Sequence, residues 1–556
     1  MTQVATPETL RANFDDVRVD EVIGSPVRLQ LRDRKLWAEF DAPGVPGPGA
    51  APRMSREIVM TTGSHHQEVY WYRPDAGRLV EQLPVTYLIR ERRWVPRRMV
   101  FLHASLDGSG PAPRWSAVCI NCHATHGKAR TTDGETTVGE FGIACEACHG
   151  PSVDHIRANR SPARRYQSHF TAQPDATIVQ PERLDPTRSS QVCGQCHGVW
   201  FFDDPSEQKR VDAFGFPYRP GQDLLASRFL IQPAIDKDSP TMRRVRTELA
   251  SDVKGTFWPD GMIRVSGREY NGLVDSPCYL NAKDATRTMT CSSCHTMHKT
   301  VDDPRSIDDW AVSQVSLGKD TNEACLQCHP KFRANLAAHT KHQPASSGSS
   351  CYNCHMPYTT YGLMKALRSH QISSPSVAVS QQTGRPNACN LCHLDKSMAW
   401  ASENLARSYG TPQPALSDEE RTVAASLLWL LRGDAGQRAL VAWAMGWQPA
   451  QQTSGTDWLG AYLSGVLTDD YGALRFIGYR SLRTLGPAFA EMPFRFVTTP
   501  QQRLESMSAA VAIWRRTTRH ARSDSALLLN ADGSFKLDQL NRLVQQRDNR
   551  PVNLYE

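Results

Sequence analysis

The chain has 556 residues and a formal charge of +7, with 40% apolar and 8% aromatic residues, which leaves room for about three or four domains of ordinary size. No run approaches the roughly 20 apolar residues of a membrane-spanning helix, and the first twenty residues have neither the cationic head nor the apolar stretch of a secretion signal. Fifteen cysteines, fourteen of them in pairs separated by two residues, argue against an ordinary cytosolic protein.

From about residue 27 to 106 apolar and polar residues alternate. Strand patterns fall at Glu57–Met60, Gln67–Tyr72, Pro84–Ile89 and Trp94–Leu102, with turn signals at Thr62-Gly63-Ser64 and Arg73-Pro74-Asp75. This predicts a small antiparallel β module within residues 1–115.

Residues 116–400 repeat one motif seven times: Cys119-Ile-Asn-Cys122-His123, Cys145-Glu-Ala-Cys148-His149, Cys193-Gly-Gln-Cys196-His197, Cys291-Ser-Ser-Cys294-His295, Cys325-Leu-Gln-Cys328-His329, Cys351-Tyr-Asn-Cys354-His355 and Cys389-Asn-Leu-Cys392-His393. Random placement of these residue types would give roughly 0.01 such matches. A thiolate zinc site has no use for a His directly after the second Cys. Covalent haem accounts for all three residues: two thiols form thioethers with the porphyrin vinyl groups, and the adjoining His becomes the proximal iron ligand. The sequence therefore predicts seven haem c groups. At about one haem per 40 residues the polypeptide is too thin for an ordinary core, so the fold expected here is mainly α, with little regular structure around stacked haems.

The longest interval between motifs holds residues 198–281, rich in Pro, Gly and charge, and reads as an insert with strand-like pieces near Phe257–Val265. It carries the lone Cys278, a residue type more often buried as a small hydrophobe than reactive. After Trp400 the cysteines stop. Ser417-Asp418-Glu419-Glu420 is a capping box ahead of the apolar run Val423–Leu431, and Gly433–Gly446 and Thr468–Leu485 share a loop-then-helix form suggestive of HEAT repeats. Residues 401–556 are thus expected to be a separate helical, HEAT-like domain, removable without disturbing the haems.

Haem attachment takes place outside the cytoplasm, so a periplasmic or extracellular location is expected, with the leader lost from the residues given. Seven ferric haems, each with two propionates, add about −7 and bring the net charge near zero. No basic patch interleaved with aromatics points to nucleic acid.

Eleven histidines lie outside the motifs. His126 and His298 each stand three residues past a proximal His, on the same short helix, so each must ligate a neighbouring haem if it ligates at all. The expected sixth ligands are His66 (or its neighbour His65), His126, His155, His298, His339, His342 and His370, with His103 and His169 in reserve. His520 falls in the helical tail. Met356 follows a proximal His directly and cannot reach the opposite face, so no Met-ligated haem is expected.

The segments around Cys145 (Gly142 to Pro151), Cys351 (through Met356-Pro357) and Cys389 (from Pro386) resemble those of large bacterial multihaem cytochromes c. That superfamily contains octahaem tetrathionate reductase, hydroxylamine oxidoreductase and pentahaem nitrite reductase. The chain departs from it in having no variant motif such as Cys-x-x-Cys-Lys, and in showing seven motifs where octahaem relatives have eight. The resemblance implies that a first haem motif has been lost ahead of the β module.

The function expected is electron transfer along closely packed, mostly bis-histidine haems, between redox proteins acting as donor and acceptor. The alternative is a reductase or oxidase of a nitrogen or sulfur oxyanion at one five-coordinate haem. The tail offers a surface for a homo-oligomer or filament.

Overall fold

The computed structural model describes residues 2–554 apart from 45–50, 76, 104–111, 118, 172–173, 235–237, 283–286, 519–523 and 531. His520 lies outside the described residues.

The N-terminal module is larger than the alternation suggested. It has eight strands: β1 (Thr2–Val4), β2 (Val17–Val19), β3 (Val27–Arg32), β4 (Lys35–Asp41), β5 (Arg53–Thr62), β6 (Gln67–Tyr72), β7 (Glu81–Leu88) and β8 (Arg93–Pro96). They form one antiparallel sheet in the order β2-β3-β4-β5-β6-β7-β8, with β1 paired to β5. Leu29, Leu36, Phe40, Ile58, Tyr70 and Leu83 bury one face. The register shifts between Ile58 and Met60, and such a bulge re-aims the residues beyond it. Met60 and Trp71 thereby pack with Trp115 and Ile120, against the first Cys-x-x-Cys-His turn. The predicted strand over Trp94–Leu102 stops at Pro96, which cannot donate to a ladder, and becomes the 3-10 turn Arg97–Met99.

The stretch 198–281 is integral to the fold. It contains helices Pro205–Phe214, Pro240–Glu248, Ala250–Thr256 and Glu269–Val274. The strand-like piece near Phe257–Val265 forms two isolated bridges, Phe257 to Ile263 and Val265 to Tyr361. Helix Glu269–Val274 is buried along Tyr270, Asn271, Gly272, Leu273 and Val274. Asn271 is tolerated there because its amide accepts from Val199 N and donates to Ile231 O, at 2.8 and 2.7 Å.

In the tail the capping box is formed, Ser417 N donating to Glu420 Oε2 at 2.9 Å, but its helix, Asp418–Thr422, ends before the apolar run. That run enters the core on helix Ala425–Arg432. The two loop-then-helix stretches form helices Ala435–Ala444 and Gly472–Arg483. Arg475 donates to the carbonyls of Asp469, Asp470 and Phe496, while the Asp469 carboxylate takes the buried Arg438 guanidinium.

Among the described residues the tail shares its core with earlier segments. One apolar cluster runs from Leu88 and Leu102 through Tyr361, Leu391 and Leu394 to Leu427, Trp458, Leu474 and Leu554, and helix Met398–Tyr409 crosses position 401. Among the described residues no helix is long and apolar enough to cross a membrane.

Candidate haem-binding cavity

Each motif sits on a helical turn: Ile120–His123, Cys145–His149, the end of Pro186–His197, Cys291–Ser293, Glu323–Leu326, Cys351–His355 and Ala388–Cys392. Backbone bonds from the His N–H to the carbonyl of the first Cys close four of these turns at 2.8–2.9 Å, for His123, His295, His329 and His393. Positions i, i+3 and i+4 share one face of such a turn, so both thiols and the imidazole point the same way.

They point into a cavity of about 2780 Å³, against about 300–1,000 Å³ for an ordinary ligand site. Thirteen of the fourteen motif cysteines line it, Cys145 excepted, as do six of the seven motif histidines, His149 excepted. All fifteen thiols are free. Arg268, Lys319, Lys341 and Arg368 bring cations to the same wall, where porphyrin propionates need charge-assisted partners. Thiol pairs, adjacent imidazoles, cavity size and cationic wall all fit covalent haem.

Four of the motif imidazoles are held by their Nδ1 atoms. His149, His295 and His355 donate to the carbonyls of Val179 (2.7 Å), Ser313 (3.0 Å) and Ser373 (2.9 Å). A carbonyl can only accept, so the proton is on Nδ1 and the Nε2 lone pair is free for a metal. His197 differs: its Nδ1 partner is the carboxylate of Glu269, at 2.7 Å.

Four motif histidines face a histidine from elsewhere in the chain. Ring centroids are 6.2 Å apart for His149 and His298, 6.3 Å for His295 and His370, 6.2 Å for His355 and His339, and 6.1 Å for His393 and His342. Burial pushes His393 down to about 4, which keeps its ring neutral. His342 Nδ1 donates to Thr340 O at 2.6 Å.

Among the described residues His65, His66, His126 and His155 have other surroundings. His66 and His65 line the cavity; burial, reinforced by Lys365, pushes His66 down to about 4, and His65 Nδ1 meets Ser64 Oγ at 2.8 Å. His126, at a left-handed φ of 52°, turns its Nε2 onto Glu146 Oε2 at 3.0 Å. His155 Nδ1 is 3.1 Å from Asp175, whose carboxylate also takes Arg164. His103 lines the cavity, and His169 is exposed beside Phe170. Cys278 is half-buried on the cavity wall, within electrostatic reach of Cys328. Glu269, which holds the motif histidine His197, carried no sequence signal, because it lies in the stretch that read as an insert.

Comparison with known proteins matches residues 339–429 to the cytochrome c552 family and residues 103–150 to the family of cytochrome c554 and c-prime. The two matches together take in four of the seven motifs. The chain is 25% identical over 192 residues to the cytochrome c nitrite reductase subunit NrfA of Nitratidesulfovibrio vulgaris, a match spanning 34% of this chain and 32% of that protein. The crystal structure of the outer cell wall cytochrome OcwA superposes with a TM-score of 0.41 at 15% identity, covering 82% of this chain and 88% of that one. The motif turns around one cavity, with the family matches, make this chain a multihaem cytochrome c.

Proposed function

We propose that the chain is an electron conduit of seven haems c, at least four of which would each be held by two histidines. The four imidazole pairs carry this reading. In each pair the ring centroids lie 6.1–6.3 Å apart, so the two imidazoles together would hold one haem iron. Aromatic packing alone also allows centroids about 4.5–7 Å apart. It does not explain why each pair joins one motif histidine to one from outside the motifs.

On this reading His298 serves motif two, His370 motif four, His339 motif six and His342 motif seven. His66 and His155 remain our candidates among motifs one, three and five; His126, occupied by Glu146, is not in the set. Bound haem iron supplies the reversible one-electron step between ferric and ferrous states. The chain's part would be to offer such an iron two histidines, which would bar anions from it, and to hold the attachment points next to one another.

The attachment points adjoin. Cys122 lies against Cys196, Cys193 against Cys291 and Cys325 against Cys351. Cys148 is within electrostatic reach of Cys193, Cys294 of Cys328 and Cys389 of Cys354. Motif three thus borders motifs one, two and four, and motifs four to seven follow in series. Other redox proteins would deliver and remove the electrons, outside the cytoplasm where haem c is attached.

Ferric EPR with intact mass tests the reading. Seven haem masses are expected, with at least four irons in low-spin signals that nitrite and hydroxylamine leave unchanged. High-spin signals from more than three irons would overturn it.

A further inference from the structure

We infer that Glu269 sets the haem held by His197 at a lower reduction potential than it would otherwise have, making motif three an electronically distinct site where motifs one, two and four meet; the inference rests on the conduit reading above. The carboxylate is built into place. Asp185 caps helix Pro186–His197 by accepting from Thr187 N and Arg188 N, with Pro186 in the first turn. At the other end of this helix Gly194 packs directly on Tyr270, whose ring a Cβ would meet at 2.8 Å. That close approach brings the neighbouring Glu269 to His197.

Glu269 Oε2 accepts from His197 Nδ1 at 2.7 Å and Oε1 accepts from Gly267 N at 2.9 Å. Both oxygens are therefore acceptors, as in a carboxylate. Among the described residues no Lys or Arg pairs with Glu269, whereas Asp175, beside His155, is neutralised by Arg164. Both His197 and Glu269 line the cavity, so the surface they leave open faces the haem site.

Hydrogen bonding to a carboxylate makes a metal-bound imidazole more basic. A more electron-rich ligand and an uncompensated negative charge both favour ferric over ferrous iron. His149, His295 and His355 donate to neutral carbonyls instead and gain no such bias.

The test is potentiometric titration of the holoprotein, read optically and by resonance Raman, for Glu269→Gln and Glu269→Asp. In E269Q one of the seven potentials should rise by at least a tenfold change in its reduction equilibrium, about 59 mV for one electron, with the other six in place and seven haems by mass. E269D keeps the charge at longer reach and should shift that same potential less. Potentials unchanged in E269Q, or all seven displaced together, would overturn the role of Glu269 and leave the conduit standing. A wild type carrying no haem at motif three would overturn both.

Discussion

Ser454 should clamp the seventh haem site, and its removal tests whether the cysteine-free tail is part of that site. The residue is fully buried. Its hydroxyl donates to Cys392 O and accepts from Leu394 N, each at 2.8 Å, so it grips the backbone on both sides of His393. Ser454→Ala leaves a carbonyl and an N–H buried without partners. At about 1–3 kcal/mol for each unsatisfied group, and with partial relaxation, the loss is about 2–4 kcal/mol. For a cooperative unit approaching the full 556 residues about 1 kcal/mol moves Tm by roughly 1 °C, so a fall of roughly 2–4 °C is expected. Thermal unfolding of the holoprotein, followed by far-UV circular dichroism and by the Soret band, reads both the tail and the haem. The control is Ser506→Ala, which removes a bond to Gln502 O on an exposed helix and should stay within about 0.5 kcal/mol of wild type. A Ser454→Ala protein melting within a degree of wild type would refute the clamp.

Three further outcomes follow from the same geometry. His298→Ala should convert one iron in seven from low to high spin by EPR, and the affected haem should be the one attached at Cys145 and Cys148; an all low-spin spectrum would show that His298 does not serve motif two. Truncation after residue 401 cuts through helix Met398–Tyr409 and the shared core, so it should lower haem occupancy at Cys389 and Cys392 by peptide mass mapping, against the expectation from sequence that the tail is dispensable; full occupancy would favour a separate domain. Asp303 is held down to about 2, first by its hydrogen bonds from Arg305, while Arg305 also donates to Val315 O beside His295. A depressed carboxyl contributes stability that is present above its unfolded value and lost as pH falls through the folded one. The wild type should therefore lose stability between about pH 4 and pH 2 more steeply than Asp303→Asn, and identical acid melting curves would count against this link.

The covalent chemistry was legible in the sequence because it is local. Two thiols and an imidazole at i, i+3 and i+4 fall on one side of a turn wherever that turn is placed, so the attachment residues needed no tertiary information. The strands β5 and β6, each with residues buried on the core face, were visible through their alternation. β1 and β2 were missed because they are three residues long, β3 and β4 lie in the alternating stretch from residue 27 without being singled out, and the helices of 198–281 were missed because a Pro- and Gly-rich stretch reads as loop until its buried polar groups find partners, as Asn271 does with Val199 and Ile231.

Which histidine faces which was beyond the sequence. His126 and His298 occupy the same position relative to their motifs, yet His298 faces His149 while His126 bonds Glu146. Likewise Glu269 could not be singled out, since it meets His197 only because two helices touch at Gly194 and Tyr270. The attachment motif depends on neighbours along the chain and is written in it; which imidazoles face each other and which charges lie beside them depend on distant segments being packed together, which tertiary structure alone decides.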